Sequence, residues 1–386
     1  MLLAHKIELR PTLEQAAYLN QACGSRRHCF NQLLAHFKQG GVKWSKKSAY
    51  QHYIQHIRPE FPWYHEVSSR VTRNAIDDLD QAFKHFFRRV KAKQKAGFPR
   101  FKKKDVNDSF ALRESPKFDV NEQTLRIEKL KTRIPMRQSL RFEGKLKQVT
   151  ISKRAGKFFA SFLIETEDYQ AEYAQKSESV GVDFGINAWA VCSNGHVEAA
   201  NQKLKTSMKK LAKRHRALAR KQKGSHRRAK AKSALAKLHF RIVRQREAVC
   251  HELSHYLTAN FKRIVIEDLN VKGMVKNHRL ARAVSDAGFG MLRKMIEYKA
   301  LLRNCEVVLA DRFFPSSKMC SGCGTLHDMP LDQRMMTCDC GLVMDRDLNA
   351  AINLNNYGVD TFKPTKKRTQ EKCQTMTSVS ATLVTV

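Results

Sequence analysis

Residues 320–351 read CSGCGTLHDMPLDQRMMTCDCGLVMDRDLNAA, and this stretch places two cysteine pairs directly before an acidic segment. The pairs are Cys320-x2-Cys323 and Cys338-x-Cys340, about 14 residues apart, and a glycine follows each pair. This spacing is typical of two zinc knuckles, because four thiolates complete a tetrahedral Zn²⁺ shell. Such a closed shell leaves no position for a substrate, so the sequence predicts a structural zinc site.

The remaining cysteines are scattered along the chain: Cys23, Cys29, Cys192, Cys250, Cys305 and Cys373. The N-terminal residues become charged too early for a signal peptide, so a disulfide framework is not expected. The scattered thiols are predicted to be buried as small hydrophobic groups. Because the second pair is C-x-C rather than C-x-x-C, His327 is an alternative zinc ligand should one cysteine not bind.

Three carboxylates in distant parts of the chain form the second candidate site. Asp183 lies inside the apolar segment Gly-Val-Asp-Phe-Gly, Glu267 ends the apolar run Ile-Val-Ile, and Asp347 starts a helix predicted over 347–356. A charge placed in an apolar strand needs a partner, since burying it alone is costly. Three carboxylates converging at one edge of a mixed sheet can hold two Mg²⁺ or Mn²⁺ ions about 4 Å apart. One ion would activate water and the other would stabilise the leaving oxygen of a phosphodiester.

Two choices within this acidic set depend on local geometry. Successive strand residues face opposite sides, so only one of Glu267 and Asp268 can face the site, and Glu267 continues the strand register. Asp345 is a candidate for a supporting role beside Asp347. The alternative is that these residues have structural roles only. Asp183 would then be a turn residue, Glu267 a surface strand end, and Asp345 or Asp347 a helix N-cap.

The charge of the chain indicates a polyanionic partner. Its 386 residues include 72 Lys and Arg against 36 Asp and Glu, a net charge of +36. Nucleic acid is the leading candidate and an anionic membrane surface is the weaker one. The composition argues against a typical small-molecule enzyme, and the absence of a long apolar run argues against a membrane-spanning protein.

The positive charge is concentrated in three segments. Residues 203–246 hold 18 Lys and Arg and no acid, and they are predicted to form a helical hairpin. A second cationic face lies on a helix with apolar positions over 76–90, and residues 97–104 interleave aromatic and cationic side chains. For the cationic helices the alternative is a solvated amphipathic surface, and for residues 97–104 it is a plain linker into a sheet. The residues predicted to contact nucleic acid are Arg88, Arg89, Arg100, Lys102, Lys103, Lys213, Arg214, Arg220, Arg227 and Arg228.

The hydrophobic period divides the chain into an N-terminal and a C-terminal half. Strand residues 2–10 lead into helical periodicity that continues to about residue 95, with a capping box at Thr12 and Gln15. The period then becomes 2, and a hairpin is predicted with its turn over 153–157. A polar linker is expected over 171–178. Strands and helices then alternate, which predicts a mixed α/β fold.

Taken together, these motifs resemble TnpB, the OrfB-type protein of bacterial and archaeal insertion sequences, over nearly the whole chain. The matching segments are Leu79–Arg89, Gly97–Lys102, Gly181–Gly185, Ile266–Asn270, Ser285–Gly290 and the cysteine quartet running into Asp345–Ala351. The quartet followed directly by an acidic helix is the most specific of these features.

The resemblance implies an α/β multidomain fold. Its RNase H-like (RuvC) nuclease domain would carry a zinc-ribbon insertion, and a small wedge-like β-barrel would carry a helical insertion. The implied boundaries are 1–10 and 97–172 for the barrel, 11–96 for the helical recognition insertion, 178–317 and 345–357 for the nuclease domain with its basic hairpin at 203–259, 318–344 for the zinc ribbon, and 358–386 for a disordered tail.

The resemblance also implies RNA-guided cleavage of double-stranded DNA, with a guide RNA from the transposon end and with Asp183, Glu267 and Asp347 as the catalytic triad. It implies a prokaryotic, nucleoid-associated location in the cytoplasm. For the oligomeric state, a monomer and a dimer are both compatible with the sequence. The alternatives are a guided DNA-binding regulator without nuclease activity and a transposase that acts on DNA ends directly. Retention of all three carboxylates argues against the regulator, and the absence of a His-x-His pair argues against a tyrosine transposase.

Overall fold

The computed structural model describes residues 1–39, 42–113, 117–167, 177–186, 188–199, 202–278, 281–330 and 332–357, with the backbone alone for 202–206. The chain divides into two compact units, Met1–Tyr169 and Gln170–Val386. The predicted disordered tail at 358–386 and most of the predicted linker at 171–178 lie outside the described residues.

The first unit combines two antiparallel sheets with a set of helices. Its strands are β1 (Leu2–Leu9), β2 (Ser109–Leu112), β3 (Phe118–Asn121), β4 (Thr124–Ile127), β5 (Ile134–Pro135), β6 (Lys145–Arg154) and β7 (Lys157–Glu165). Its helices are α1 (Leu13–Lys38), α2 (Lys46–His52), a π-helical turn (Tyr53–Ile57), α3 (Arg58–Glu60), a 3-10 turn (Pro62–Glu66) and α4 (Ser69–Lys91).

The predicted hairpin is confirmed as β6 and β7, which pair antiparallel around Gly156, a residue with φ +84°. Strand β1 pairs with β7, so the sheet order is β1-β7-β6-β2, and β3-β4-β5 form a second sheet. Both sheets contribute to one apolar core that includes Ile7, Phe110 and Phe162.

The helices of the first unit begin and end where local signals allow. The predicted capping box is present, because the Thr12 side chain accepts from the Gln15 amide and the Gln15 side chain accepts from the Thr12 amide. Helix α4 ends at Lys91 rather than near residue 95, since Lys93 adopts φ +52° and leaves the helical region. The helices share a second core built on residues such as Leu33, Tyr53 and Leu79.

The second unit is a mixed sheet with helices and a small cysteine-rich element. Its strands are β8 (Ser177–Asp183), β9 (Ala188–Cys192), β10 (Val197–Ala199), β11 (Phe261–Glu267), β12 (Glu306–Ala310), β13 (Met335–Thr337) and β14 (Val343–Asp345). Its helices are α5 (Gln202–Ala219), α6 (His226–Asn260), α7 (Val271–Met274), α8 (Ala281–Ala287), α9 (Phe289–Arg303) and α10 (Arg346–Asn355).

The main sheet of this unit has the order β10-β9-β8-β11-β12. Strands β10, β9 and β8 pair antiparallel, whereas β8, β11 and β12 run parallel. Because side chains alternate along a strand, the sheet has two different faces. Val182 and Ile266 pack in the core that α6 and α9 complete, while Val265 packs with Leu354 of α10 on the other face.

Helix α10 approaches β8 at Gly181. A Cβ atom at this position would lie 2.1 Å from the carbonyl oxygen of Ala351 and 2.3 Å from the amide nitrogen of Asn355. Since carbon atoms cannot approach backbone atoms so closely, only glycine permits this contact between helix and strand. Gly181 therefore determines how closely α10 lies on the sheet.

The predicted basic hairpin is α5 followed by α6. Gly224 has φ +88° at the turn, and the Ser225 side chain caps α6 by accepting from the Arg228 amide at 3.1 Å. No helix within the described ranges combines the length and apolar content needed to cross a bilayer.

Substituting Gly181→Ala tests the contact between α10 and β8. The added methyl group must displace α10, so we expect a loss of about 1–3 kcal/mol in the free energy of unfolding, measured by denaturant titration. The control is Gly290→Ala in α9, where a Cβ atom meets nothing within 4 Å, so stability should be unchanged or slightly higher. Equal stability of the Gly181 variant and the natural chain would contradict the close-packing account.

Candidate active site and metal centre

Asp183 and Glu267 lie side by side at the carboxyl ends of two parallel strands. The register pairs Ile266 with Val182, so the next residue of each strand falls at the same level and on the same face. This is the face that carries Gly181 and Val265 and that α10 covers. The structure thus brings the two strand carboxylates to one edge of the sheet.

Helix α10 brings the third carboxylate to this edge. Asp345 is its N-cap, and one of its carboxylate oxygens accepts from the amides of Asp347 at 2.9 Å and Leu348 at 3.1 Å. Asp347 lies in the first turn, half-buried, while Asp345 is exposed. The two aspartates therefore have different environments, and the capping alternative applies to Asp345.

The electrostatics of Asp183 show that these carboxylates are neighbours. Burial raises its pKa to about 8, the carboxylates of Glu267, Asp347 and Asp345 add to this rise, and Arg346 opposes it. Within the described ranges, no lysine or arginine forms an ion pair with Asp183, Glu267 or Asp347. A crowded group of carboxylates with which no cationic side chain forms an ion pair fits hard divalent cations, which prefer oxygen ligands.

Glu267 and Asp268 are held differently, although they are adjacent in sequence. The Ser316 hydroxyl donates to Oε1 of Glu267 at 2.8 Å, which fixes that side chain at the sheet edge. Asp268 instead accepts from Arg293 at 2.6 Å and from Arg312 at 2.5 Å, and these hydrogen bonds lower its pKa. Of the two, Glu267 is the one that faces the other carboxylates.

Two buried asparagines fix α10 to the segment that leads into the cysteine-rich element. Asn349 donates to the Met319 carbonyl at 2.7 Å and accepts from the Ser321 amide at 2.9 Å. Asn353 donates to the carbonyl oxygens of Ser316 at 2.8 Å and Met319 at 2.6 Å. These positioning contacts were not predicted, and their signal in the sequence is two amides four residues apart on the covered face of a short helix.

The four clustered cysteines come together as predicted. Their sulfur atoms all lie within 4.8 Å of one another, with 3.7 Å between Cys320 and Cys340 and 3.5 Å between Cys323 and Cys338. No other group of three or more potential ligands within the described ranges is this compact, and His327 is not part of the cluster. Four such sulfurs match the tetrahedral shell of a structural zinc ion.

The local backbone explains the glycine that follows each cysteine pair. Gly324 and Gly341 have φ of +77° and +89°, a region that other residues adopt only with strain. Each turn closes with an amide-to-carbonyl bond, from Gly324 to Cys320 at 2.8 Å and from Gly341 to Cys338 at 2.9 Å. The short second pair still completes a turn, which gives the C-x-C spacing a structural explanation.

Most of the cationic residues predicted to contact nucleic acid are exposed, namely Arg88, Arg89, Arg100, Lys103, Lys213, Arg214, Arg220 and Arg227. Lys102 instead pairs with Asp78 at 2.6 Å and lies 4.1 Å from the ring centre of Phe30. Arg228 donates to the carbonyl oxygens of Leu218 and Lys221, which closes the hairpin turn. Nucleic-acid contact by all ten residues stays a prediction.

Three family models match the chain. A family described as "Probable transposase" matches residues 161–278, and a "Cas12f1-like, TNB domain" matches residues 289–354. A "Helix-turn-helix domain" of the same transposase group matches residues 1–40. The matches follow one another along the chain, and the match over residues 289–354 contains the whole cysteine cluster.

Individual proteins match over nearly the full chain. A Streptomyces pristinaespiralis protein named "Putative RNA-guided DNA endonuclease" is 35% identical, with 92% of this chain and 89% of that protein covered. InsQ of Escherichia coli K12, which carries the same description, is 29% identical with 96% and 98% covered. Among solved structures, CasPhi-2 (Cas12j) bound to crRNA gives a TM-score of 0.46 at 10% identity, covering 95% of this chain and 99% of that one.

Metal analysis of the purified chain tests the cysteine centre. We expect about one zinc ion per chain, and Cys338→Ser should lower this content strongly because a hydroxyl is a poor zinc ligand. The control is Cys305→Ser, since Cys305 lies outside the cluster and donates to the Thr258 carbonyl. Zinc content far below one per chain in the natural protein would refute the assignment.

The raised pKa of Asp183 predicts that the stability of the fold depends on pH in magnesium-free buffer. Because the pKa in the folded state is near 8 and the ordinary carboxyl pKa is near 4, the protonated side chain stabilises the fold fully below about pH 4. This stability is lost as the pH rises through 8. Asp183→Asn should therefore match the natural chain in Tm at low pH and exceed it increasingly towards pH 8. The exposed Asp328 provides a control, Asp328→Asn, and a pH-independent difference for the Asp183 variant would contradict the assignment.

Proposed function

This chain belongs to the TnpB family of OrfB-type insertion-sequence proteins, and on that premise we propose that it is an RNA-guided, metal-dependent DNA endonuclease. The names of its relatives in Streptomyces pristinaespiralis and Escherichia coli support a guided nuclease. The observation that carries the proposal is the convergence of Asp183, Glu267 and Asp347 at one sheet edge.

The topology of the second unit supports a RuvC-like assignment. Three antiparallel strands continue into two parallel ones, in the order β10-β9-β8-β11-β12, and α10 covers one face. We assign residues 178–317 and 345–357 to the nuclease domain, 318–344 to its zinc ribbon, 1–10 and 97–172 to a wedge-like barrel, and 11–96 to its helical insertion.

Asp183, Glu267 and Asp347 would hold Mg²⁺ or Mn²⁺. Such ions, when bound, supply Lewis acidity and an activated water for phosphodiester hydrolysis. The protein's own contribution is to fix the carboxylates before substrate arrives. Ser316 holds one oxygen of Glu267, the Asp345 cap orients the first turn that carries Asp347, and β8 fixes Asp183.

The cationic hairpin supplies the nucleic-acid surface in this proposal. Its exposed side chains include Lys213, Arg214, Arg220 and Arg227, and residues 203–246 contain no acid that would offset them. A guide RNA paired with DNA can be bound through its backbone and helical shape, while base pairing supplies the sequence specificity. The positive charge would thus bind RNA and DNA, and the acidic edge would cleave.

Cleavage by matched variants tests the proposal. The protein is co-purified with RNA transcribed from its transposon end and incubated with Mg²⁺ and a target duplex that matches the guide. Asp183→Ala should abolish cleavage while RNA binding is retained, because in this proposal the side chain holds metal and the cationic side chains of the hairpin bind RNA. Asp328→Asn, which alters a fully exposed carboxylate, should cleave normally.

Three results would overturn the proposal. Undiminished cleavage by the Asp183 variant would exclude the acidic edge as the active site. Target binding without cleavage by the natural chain, in both Mg²⁺ and Mn²⁺, would favour a guided DNA-binding regulator. Joining of transposon ends by the protein itself would favour a transposase.

A further inference from the structure

Phe313 lies in the turn that follows β12 and has 86% of its surface exposed. Within the described ranges, no other phenylalanine, tyrosine or tryptophan is as exposed. Its neighbour Phe314 is packed, with its ring 4.9 Å from that of Tyr357. Two adjacent phenylalanines thus have opposite environments, and packing within the unit does not explain why position 313 carries a phenylalanine.

The turn holds Phe313 in this outward position. Its amide donates to the Asp311 carboxylate at 2.8 Å, and the Phe314 amide donates to the Asp311 carbonyl at 3.0 Å. The Asp311 amide donates in turn to the Tyr357 hydroxyl at 3.1 Å. These bonds hold the turn on both sides of Phe313, so the ring is presented by a fixed backbone.

An arginine is anchored immediately before the exposed ring. Arg312 donates through Nε to the Asp268 carbonyl at 3.2 Å and through one Nη to the Asp268 carboxylate at 2.5 Å. Arg293 donates to the other oxygen of the same carboxylate at 2.6 Å. A guanidinium has five N–H donors, so donors remain on Arg312 for an anionic ligand.

This pair adjoins the candidate active site. Asp268, which anchors Arg312, follows Glu267 directly in the chain, and Ser316, three residues after Phe313, donates to Glu267. Three residues of chain span at most about 11 Å. Phe313 and Arg312 are therefore within a short distance of the carboxylate edge.

We propose that Arg312 and Phe313 position the substrate strand: Phe313 stacks on an unpaired base of the DNA, and Arg312 binds an adjoining phosphate. The substrate is taken from the proposed nuclease function, and the new element is the assignment of these two side chains to it. An exposed aromatic ring next to a cation is the combination that binds single-stranded nucleic acid without sequence preference.

The fluorescence of a Phe313→Trp variant tests the stacking directly. The full chain is titrated with single-stranded oligodeoxythymidylate and with an abasic oligomer of equal length, which keeps the phosphates and lacks the bases. After subtraction of the signal from the natural tryptophans, the thymidylate should quench this variant at least about twofold more than the abasic oligomer. Leu301→Trp, at a 75% exposed site on α9, should show no such difference.

Equal quenching by the two oligomers, or none, would overturn the proposal.

Cleavage kinetics provide a second test, which compares Phe313→Ala with Phe313→Tyr and with the control Leu301→Ala. The alanine variant should raise the KM for target DNA about tenfold, tyrosine should restore it, and the control should match the natural chain. Base-dependent quenching in a protein that never cleaves would support the strand-binding element while refuting the nuclease proposal, so the two can fail separately.

Discussion

The contact between α10 and Gly181 is the constraint on which the rest of the second unit depends. The helix backbone occupies the space that any Cβ atom at position 181 would need. Because α10 begins directly after the cysteine-rich element, this contact also determines where that element joins the sheet. The buried amides of Asn349 and Asn353 then fix the helix along its length. The position of Asp347 therefore depends on Gly181, on the two asparagines and on the element that the four cysteines form.

The charge distribution follows a division between a basic surface and a small acidic edge. Several acidic residues outside that edge are paired, as Asp268 is with Arg293 and Arg312 and Asp286 is with Arg246. The carboxylates at the edge have no such partners among the described residues, and their mutual repulsion adds to the effect of burial on Asp183. Repulsion of this kind is costly unless cations bind, and it supports the proposal that the edge binds metal in a protein whose net charge is +36.

Features with local causes could be predicted from the sequence. The capping box at Thr12, the hairpin around Gly156 and the cysteine turns all follow from spacing, turn residues and hydrophobic period. A mixed sheet with Asp183 and Glu267 at one edge was expected from the two apolar segments that carry them, and the structure adds that β8 and β11 are parallel neighbours. Contacts that depend on distant segments could not be predicted. The pairing of Lys102 with Asp78, the hydrogen bond from Ser316 to Glu267 and the anchoring of Arg312 all join residues that no sequence pattern links.

The central claim is that Asp183, Glu267 and Asp347 form one metal site because α10 lies against Gly181. Electron paramagnetic resonance of Mn²⁺ added to the purified, zinc-loaded chain measures this directly. The account predicts two Mn²⁺ ions per chain with the dipolar coupling of a pair about 4 Å apart, and loss of that signal in both Asp183→Asn and Gly181→Ala. Mn²⁺ binding that is absent from the natural chain, or that persists unchanged in both variants, would contradict it.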